Sequence, residues 1–234
     1  MFRAFLFSSL LGLALAVSAC SSSSTPPTVP ATPTVAALAT AAPADVQTGL
    51  ADASSDVIRL VLVPDKSEAR YRVREQLAGV SFPSDAVGAT KAFTGTIVGK
   101  TDGTILSDQS KFQVDLRTLK SDEGVRDNFI GRSVLETNRY PYATFVPTSA
   151  PGLPLKLPDS GQVAFQLVGN LTIRDVTKPV TWDVSGKVTG NTATGTATTT
   201  FTFEDFDLTQ PHVARVLSIV DSIRLELDLT LQRQ

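Results

Sequence analysis

The chain contains one histidine, His212, beside Pro211, and one cysteine, Cys20. Those two counts bound its chemistry. A zinc site built on several imidazoles or thiolates is excluded, and one thiol cannot close a disulfide within the chain. A Ser-His-Asp triad would have to use His212, yet no serine stands in the Gly-x-Ser-x-Gly turn that presents such a nucleophile. His212 therefore reads as an exposed loop residue. Glu204, Asp205 and Asp207 form an acidic cluster without the spacing or glycine of a calcium-binding loop, so they read as a solvated acidic turn. Paired carboxylates for glycoside chemistry need only meet in space, and nothing in the sequence marks such a pair. No glycine-rich phosphate loop occurs. Arg70, Arg72 and Arg74 make a basic strip on one strand face. It would dock anionic lipid head groups or, more commonly, lie on a solvated outer face. Sequence chemistry thus points to no metal and no catalytic constellation.

The elements that carry these residues sit behind a distinctive front end. Arg3 and the apolar run 4–17 (AFLFSSLLGLALAV) have the layout of an export signal, too short to span a bilayer comfortably. Val17-Ser18-Ala19-Cys20 resembles the lipobox of bacterial lipoproteins. That resemblance implies cleavage before Cys20, lipidation of its thiol, and anchorage of an exported protein to a membrane of the cell envelope, periplasmic or on the outer surface. Residues 20–56 then hold no aromatic residue, lysine or arginine. Such a composition cannot bury enough apolar surface to offset ordering, so it reads as a tether of ~30 Å reach. The formal net charge is −2, or −3 once Arg3 is removed with residues 1–19. This gives no electrostatic case for nucleic acid.

From residue 57 to the end at 234 the dominant period is two. ARYRVREQL (69–77) places Ala69, Tyr71, Val73, Glu75 and Leu77 on one face. KFQVDLRTL (111–119), VAFQLVGNLTI (163–173), VTWDV (180–184), TATTTFTF (196–203) and IRLELDLTL (223–231) alternate likewise, and 58–63, 91–99 and 142–148 add further candidates. Strict alternation marks strands buried on one side. Eight or nine of them, punctuated by Asp102-Gly103, Pro158-Asp159-Ser160-Gly161 and Gly190-Asn191, must form a sandwich or close into a barrel. Periodicity thus sets the class as all-β and leaves a sandwich and an eight-stranded antiparallel barrel both open. Inward aromatics at Tyr71, Phe93, Phe112, Phe165, Trp182, Phe201 and Phe203 either line a ligand cavity or fill a solid core. Periodicity alone favours the filled core, the commoner fate of such side chains.

The stretch RDNFIGRSVLETNRYPYATF (126–145) breaks the alternation. Ser121 is a candidate N-cap, and Asp122 and Glu123 suit a first helical turn. Val125, Phe129, Ile130, Val134 and Leu135 recur near helical spacing, and Pro141 ends the helix before Tyr140. A short helix over about 122–135 would lie across one mouth of the barrel, with Tyr140 and Tyr142 placed to guard it. Arg126 and Asp127 are adjacent and cannot share a helical face, so each needs its own partner or remains a solvated charge.

FQVDLRTLKSDEGVRD (112–127), Tyr140-Pro141-x-x-x-Phe145 and VGNLTIRDVTKPVTWDV (168–184) occur in an order that resembles the YceI-like family, from about Arg59 to Leu231. The resemblance implies a lipocalin-like barrel with an elongated apolar cavity for a long isoprenoid lipid or quinone, with no cofactor beyond that ligand. Under it the cavity lining would comprise Tyr71, Val73, Phe93, Phe112, Val114, Phe129 and Leu135, together with Tyr140, Phe145, Phe165, Leu167, Trp182, Phe201 and Phe203. Arg126 and Asp127 match the family's Arg-Asp pair as structural polar residues. The chain departs from the family pattern at Phe129, where His is frequent, at Asp175 and Asp207, where Gly is usual, and at Phe203, where Arg is frequent. A non-catalytic lipid carrier, with a homodimer among the assemblies left open, is the leading reading. The alternatives are a solid-core adhesion module and a hydrolase of small lipidic substrates dependent on Asp127 or His212.

Overall fold

The structure, a computed structural model, describes residues 56–154 and 158–234. Cys20, the export signal and all of the tether except residue 56 lie outside the described residues. Alternating sequence becomes ten antiparallel strands. They are β1 (Val57–Leu62), β2 (Glu68–Leu77), β3 (Ser84–Thr90), β4 (Phe93–Lys100) and β5 (Lys111–Asp115), then β6 (Tyr142–Ser149), β7 (Ser160–Ile173), β8 (Val176–Thr189), β9 (Thr192–Phe201) and β10 (Val216–Arg233). Hydrogen bonding runs in the order β1-β4-β5-β6-β7-β8-β9-β10, and β1 pairs back onto β10, which closes a ring of eight strands.

β10, at 18 residues, is long enough to serve two roles. Its last residues pair with β1, from Leu62 opposite Leu231 to Leu60 opposite Arg233. Its earlier residues pair with β2, which carries β3 on its other edge. Between β1 and β2 the chain bulges over Thr230. The buried Ser67 Oγ accepts the Thr230 N–H at 3.0 Å, and Thr230 Oγ1 donates to the Lys66 carbonyl at 3.0 Å. β2 and β3 therefore continue the barrel wall where β1 leaves the β10 edge, and their Glu75–Ser84 end projects past the ring as a flap.

β3 is a strand that periodicity does not announce. Its inward positions are Ala86, Gly88 and Thr90, small residues without an apolar rhythm. Conversely, the run 111–119 is strand only to Asp115. There the Asp115 carboxylate accepts the Arg117 N–H at 3.0 Å and turns Leu116–Thr118 into a 3₁₀ turn.

The break in alternation is helical. α1 (Gly124–Phe129) passes into a π-helical turn, Ile130–Val134, in which the Leu135 N–H bonds the Ile130 carbonyl at 2.8 Å. The N-cap is Glu123 rather than Ser121. Ser121 instead accepts the Glu123 N–H at 3.2 Å and donates its O–H to Asp127 at 2.7 Å. Val134 is buried beneath the segment, whereas Val125 is 81% exposed and does not join the inner stripe expected of it.

Candidate functional site

The inner faces do not fill the ring. A cavity of about 600 Å³ remains, within the ~300–1,000 Å³ of small-molecule sites. A solid core, the commoner expectation from periodicity, is therefore not what the strands build. The wall is apolar because most of the strands around it turn a hydrophobic register inward. Phe93 and Phe112 meet with ring centroids 6.1 Å apart, and Phe145 stands edge-on to Trp182 at 5.9 Å. Leu225, Leu227 and Leu229 of β10 line the cavity with Leu167 and Leu171 of β7. Trp182 is 3% exposed, and its indole Nε1 has no hydrogen-bond partner among the described residues.

Polar groups gather where the flap and α1 face each other. Glu75 occupies an inward position of β2 and is only 6% exposed. Arg126 of α1 donates from Nη2 to Glu75 Oε1 at 2.7 Å and also pairs with Asp122. Burial works against the Arg126 charge, but hydrogen bonding to Asp122 and the nearby Glu75 carboxylate outweigh it and hold its pKa above the ordinary value. Tyr71, also on β2, points into the cavity with its ring over Gly88, its partner on β3, in the space a Cβ there would need. Burial pushes its phenol up to about 12, against a smaller opposing effect of Arg126. Asp127 forms no ion pair with Arg126, but both reach Ser121, whose Oγ accepts from Arg126 Nη1 at 3.4 Å. Asp127 accepts the Ser121 N–H at 2.9 Å and O–H at 2.7 Å, pinning the loop that leads into α1. Arg126 and Asp127 are thus mostly covered, with different ion-pair partners and a shared Ser121 hydroxyl, not solvated charges.

The cavity wall includes Tyr71, Val73, Phe93, Phe112, Val114 and Phe129, and also Leu135, Phe145, Leu167, Trp182, Phe201 and Phe203. Tyr140 and Phe165 do not line it. Phe165 keeps the inward register of β7, but this 14-residue strand runs past the cavity to the Pro151–Gly152 turn, whose Pro151 carbonyl accepts the Gln166 N–H at 2.9 Å. Tyr140 lies outside, with the Arg139 and Arg174 guanidinium groups 4.9 and 5.7 Å from its ring and its O–H donating to Asp175 at 3.1 Å. Tyr142 is likewise outside, with its ring under Arg117 at 5.3 Å. The two tyrosines therefore do not guard the mouth. Glu123, Val125 and Arg126 of the α1 side, Glu75 and Leu77 of β2, and the 211–216 segment surround it instead. The sequence marks neither Glu75 nor Pro211 and residues 213–216 as part of the site, and His212, the candidate base of the hydrolase alternative, does not line the cavity. The signal for Glu75 was a lone carboxylate in an apolar register.

The basic strip is on the outer face and is neutralised. Arg70 pairs with Asp228 at 2.6 Å, Arg72 with Glu226 at 3.3 Å, and Arg74 with Asp85 at 3.1 Å. It is a cross-strand ion-pair network, not a free cationic surface. Among the described residues no group of three or more His, Cys, Asp or Glu side chains is placed to hold a metal ion. His212 is exposed. At the departures from the family pattern, Phe203 supplies apolar wall where Arg is frequent, and Asp207 adopts φ 49°, the left-handed conformation a glycine would favour.

A closed antiparallel ring around an apolar cavity with a polar mouth defines a lipocalin-like binding barrel. A profile described as the YceI-like domain matches residues 60–231, and the chain belongs to that family. It is 31% identical over 132 residues to a UPF0312 protein of Pseudomonas putida, spanning 62% of that relative's length. A solved polyisoprenoid binding domain from Saccharophagus degradans, implicated in plant cell wall breakdown, superposes with a TM-score of 0.59 at 13% identity, covering 75% of this chain and 98% of its own. Burkholderia cenocepacia BcnA gives 0.51 at 16% identity, with 72% and 98% covered. The Campylobacter jejuni YCEI protein gives 0.51 at 14%, with 68% and 91% covered. At these identities the structural likenesses establish the fold.

Proposed function

We propose that the chain binds a long isoprenoid lipid of quinone or polyprenyl type without transforming it, at the cell envelope. The observation that carries this reading is the segregation of the cavity, carbon along its length and polar at its mouth. The tail would lie among Trp182, Leu167 and the β10 leucines. The head would meet Tyr71, Glu75 and Arg126. Burial contributes about 0.8 kcal/mol per CH₂, so a long tail offsets the cost of ordering it without specific bonds. The polyisoprenoid-binding neighbour and the family membership support a lipid ligand. The location and the acylated Cys20 rest on residues 1–20, as the sequence presents them.

Trp182, the only tryptophan, reports on the wall directly. Titration with quinones that share a head group and differ in tail length should quench its emission. Affinity should rise with each isoprene unit until the cavity is full. Equal quenching by tailed and tail-free quinones would refute burial of the tail.

A further inference from the structure

The flap and the start of β10 beside it carry apolar side chains on both faces, and the lipid cavity accounts for one of them. Leu77, Val216 and Ile219 face the cavity. Leu217 and Val220 of β10 do not line it and are 67% and 52% exposed. Beside them, the turn joining β2 to β3 holds out Val80 and Phe82, the latter 79% exposed, and Val213 follows on the adjoining loop. These positions are contiguous. Leu77 pairs with Val216, the Ala78 N–H bonds the Arg215 carbonyl at 2.9 Å, and Gln76 Nε2 reaches the Val80 carbonyl.

The charge pattern of this lip is one-sided. Residues 76–84 and 208–220 contain no carboxylate, and their cation is Arg215, exposed and in none of the ion pairs found among the described residues. Of the carboxylates that flank them, Glu75 is engaged by Arg126, Asp85 by Arg72 and Arg74, and Asp221 by the Phe203 N–H at 2.8 Å, while Asp207, at the start of the 208–220 segment, is exposed and in none of the ion pairs among the described residues. The acidic Asp122 and Glu123 lie on the α1 side of the mouth, outside the lip.

We propose that this lip is a docking surface for a lipid bilayer with anionic head groups. Phe82, Val80, Leu217 and Val220 enter the interface, Arg215 meets a phosphate, and the cavity mouth opens onto the acyl region. An exposed apolar cluster bordered by an unopposed cation is the chemistry of interfacial binding. Docking there lets a water-insoluble ligand pass between bilayer and cavity without crossing water. The inference rests on the lipid-binding reading for its purpose, and its test needs no ligand.

The ring and flap close within residues 57–233, so the chain from residue 20 onward with Cys20→Ser contains both and lacks an acyl group. An environment-sensitive dye is attached through Phe82→Cys and, separately, through Asn191→Cys in the β8–β9 turn at the opposite end of the ring. Vesicles of phosphatidylethanolamine and phosphatidylglycerol should brighten and blue-shift the dye at 82 and leave the dye at 191 unchanged. Leu217→Asp with Val220→Asp should lower vesicle affinity about tenfold or more. It should leave quinone quenching of Trp182 intact, because neither side chain lines the cavity. No response at 82, or the same response at both positions, overturns the proposal. So does a dimer in solution that Leu217→Asp dissolves while the dye at 82 ignores vesicles.

Discussion

Arg126 Nη2 lies 2.7 Å from Glu75 Oε1, joining α1 to the flap across the mouth of the cavity, with the two side chains 16% and 7% exposed. A covered ion pair is more costly to break than to replace. Arg126→Met leaves the Glu75 charge buried without its partner and should destabilise by about 3–5 kcal/mol. Adding Glu75→Leu should restore most of that loss. Urea midpoints of the single and double variants measure both.

The cavity is a void that a larger side chain can occupy. Val73 lines it and is only half-buried. Val73→Phe should hold or raise the melting temperature and weaken isoprenoid binding at least tenfold. Phe165→Ala makes the opposite cut. Removing a half-buried ring beyond the cavity should cost about 2–4 kcal/mol of stability and leave the affinity of the remaining folded protein unchanged. Calorimetry and Trp182 quenching on the same samples separate the two effects.

Burial pushes the Tyr71 phenol up to about 12 from its ordinary value of 10.0. Tyr71 therefore stays neutral and able to donate a hydrogen bond throughout the physiological range. Because the folded pKa is the higher one, the folded state binds more protons between the two values. Its stability contribution is full below the unfolded pKa and is lost as pH rises through the folded one. Ultraviolet titration should show a phenolate component ionising near 12 that Tyr71→Phe removes.

The Phe112 ring fills the place of a side chain at Gly95, its partner across the β4–β5 pair. Gly95→Val should force the ring inward and destabilise by about 1–3 kcal/mol, read as a lower urea midpoint.

Much of this architecture was legible in the sequence because alternation is a direct record of one-sided burial. Trp182, Leu167 and the β10 leucines could be assigned to an inner face from their register alone. Register could not say whether that face met a void or another side chain, since both leave the same period. It could not reveal β3, whose inner positions are small so that the Tyr71 ring can lie over Gly88. Nor could it place Tyr140, which local arginines and Asp175 hold outside the barrel. The Glu75–Arg126 pair joins residues 51 positions apart, and such long-range pairing has no local signature.

The protein purified from cells is expected to carry an isoprenoid lipid in its cavity. Native mass spectrometry of the chain from residue 20 onward, purified from a bacterial host and compared before and after organic extraction, reads its presence. The expected result is a bound species that extraction releases as a long polyisoprenoid. A bare chain mass, with no uptake of added quinone or polyprenol, would contradict it.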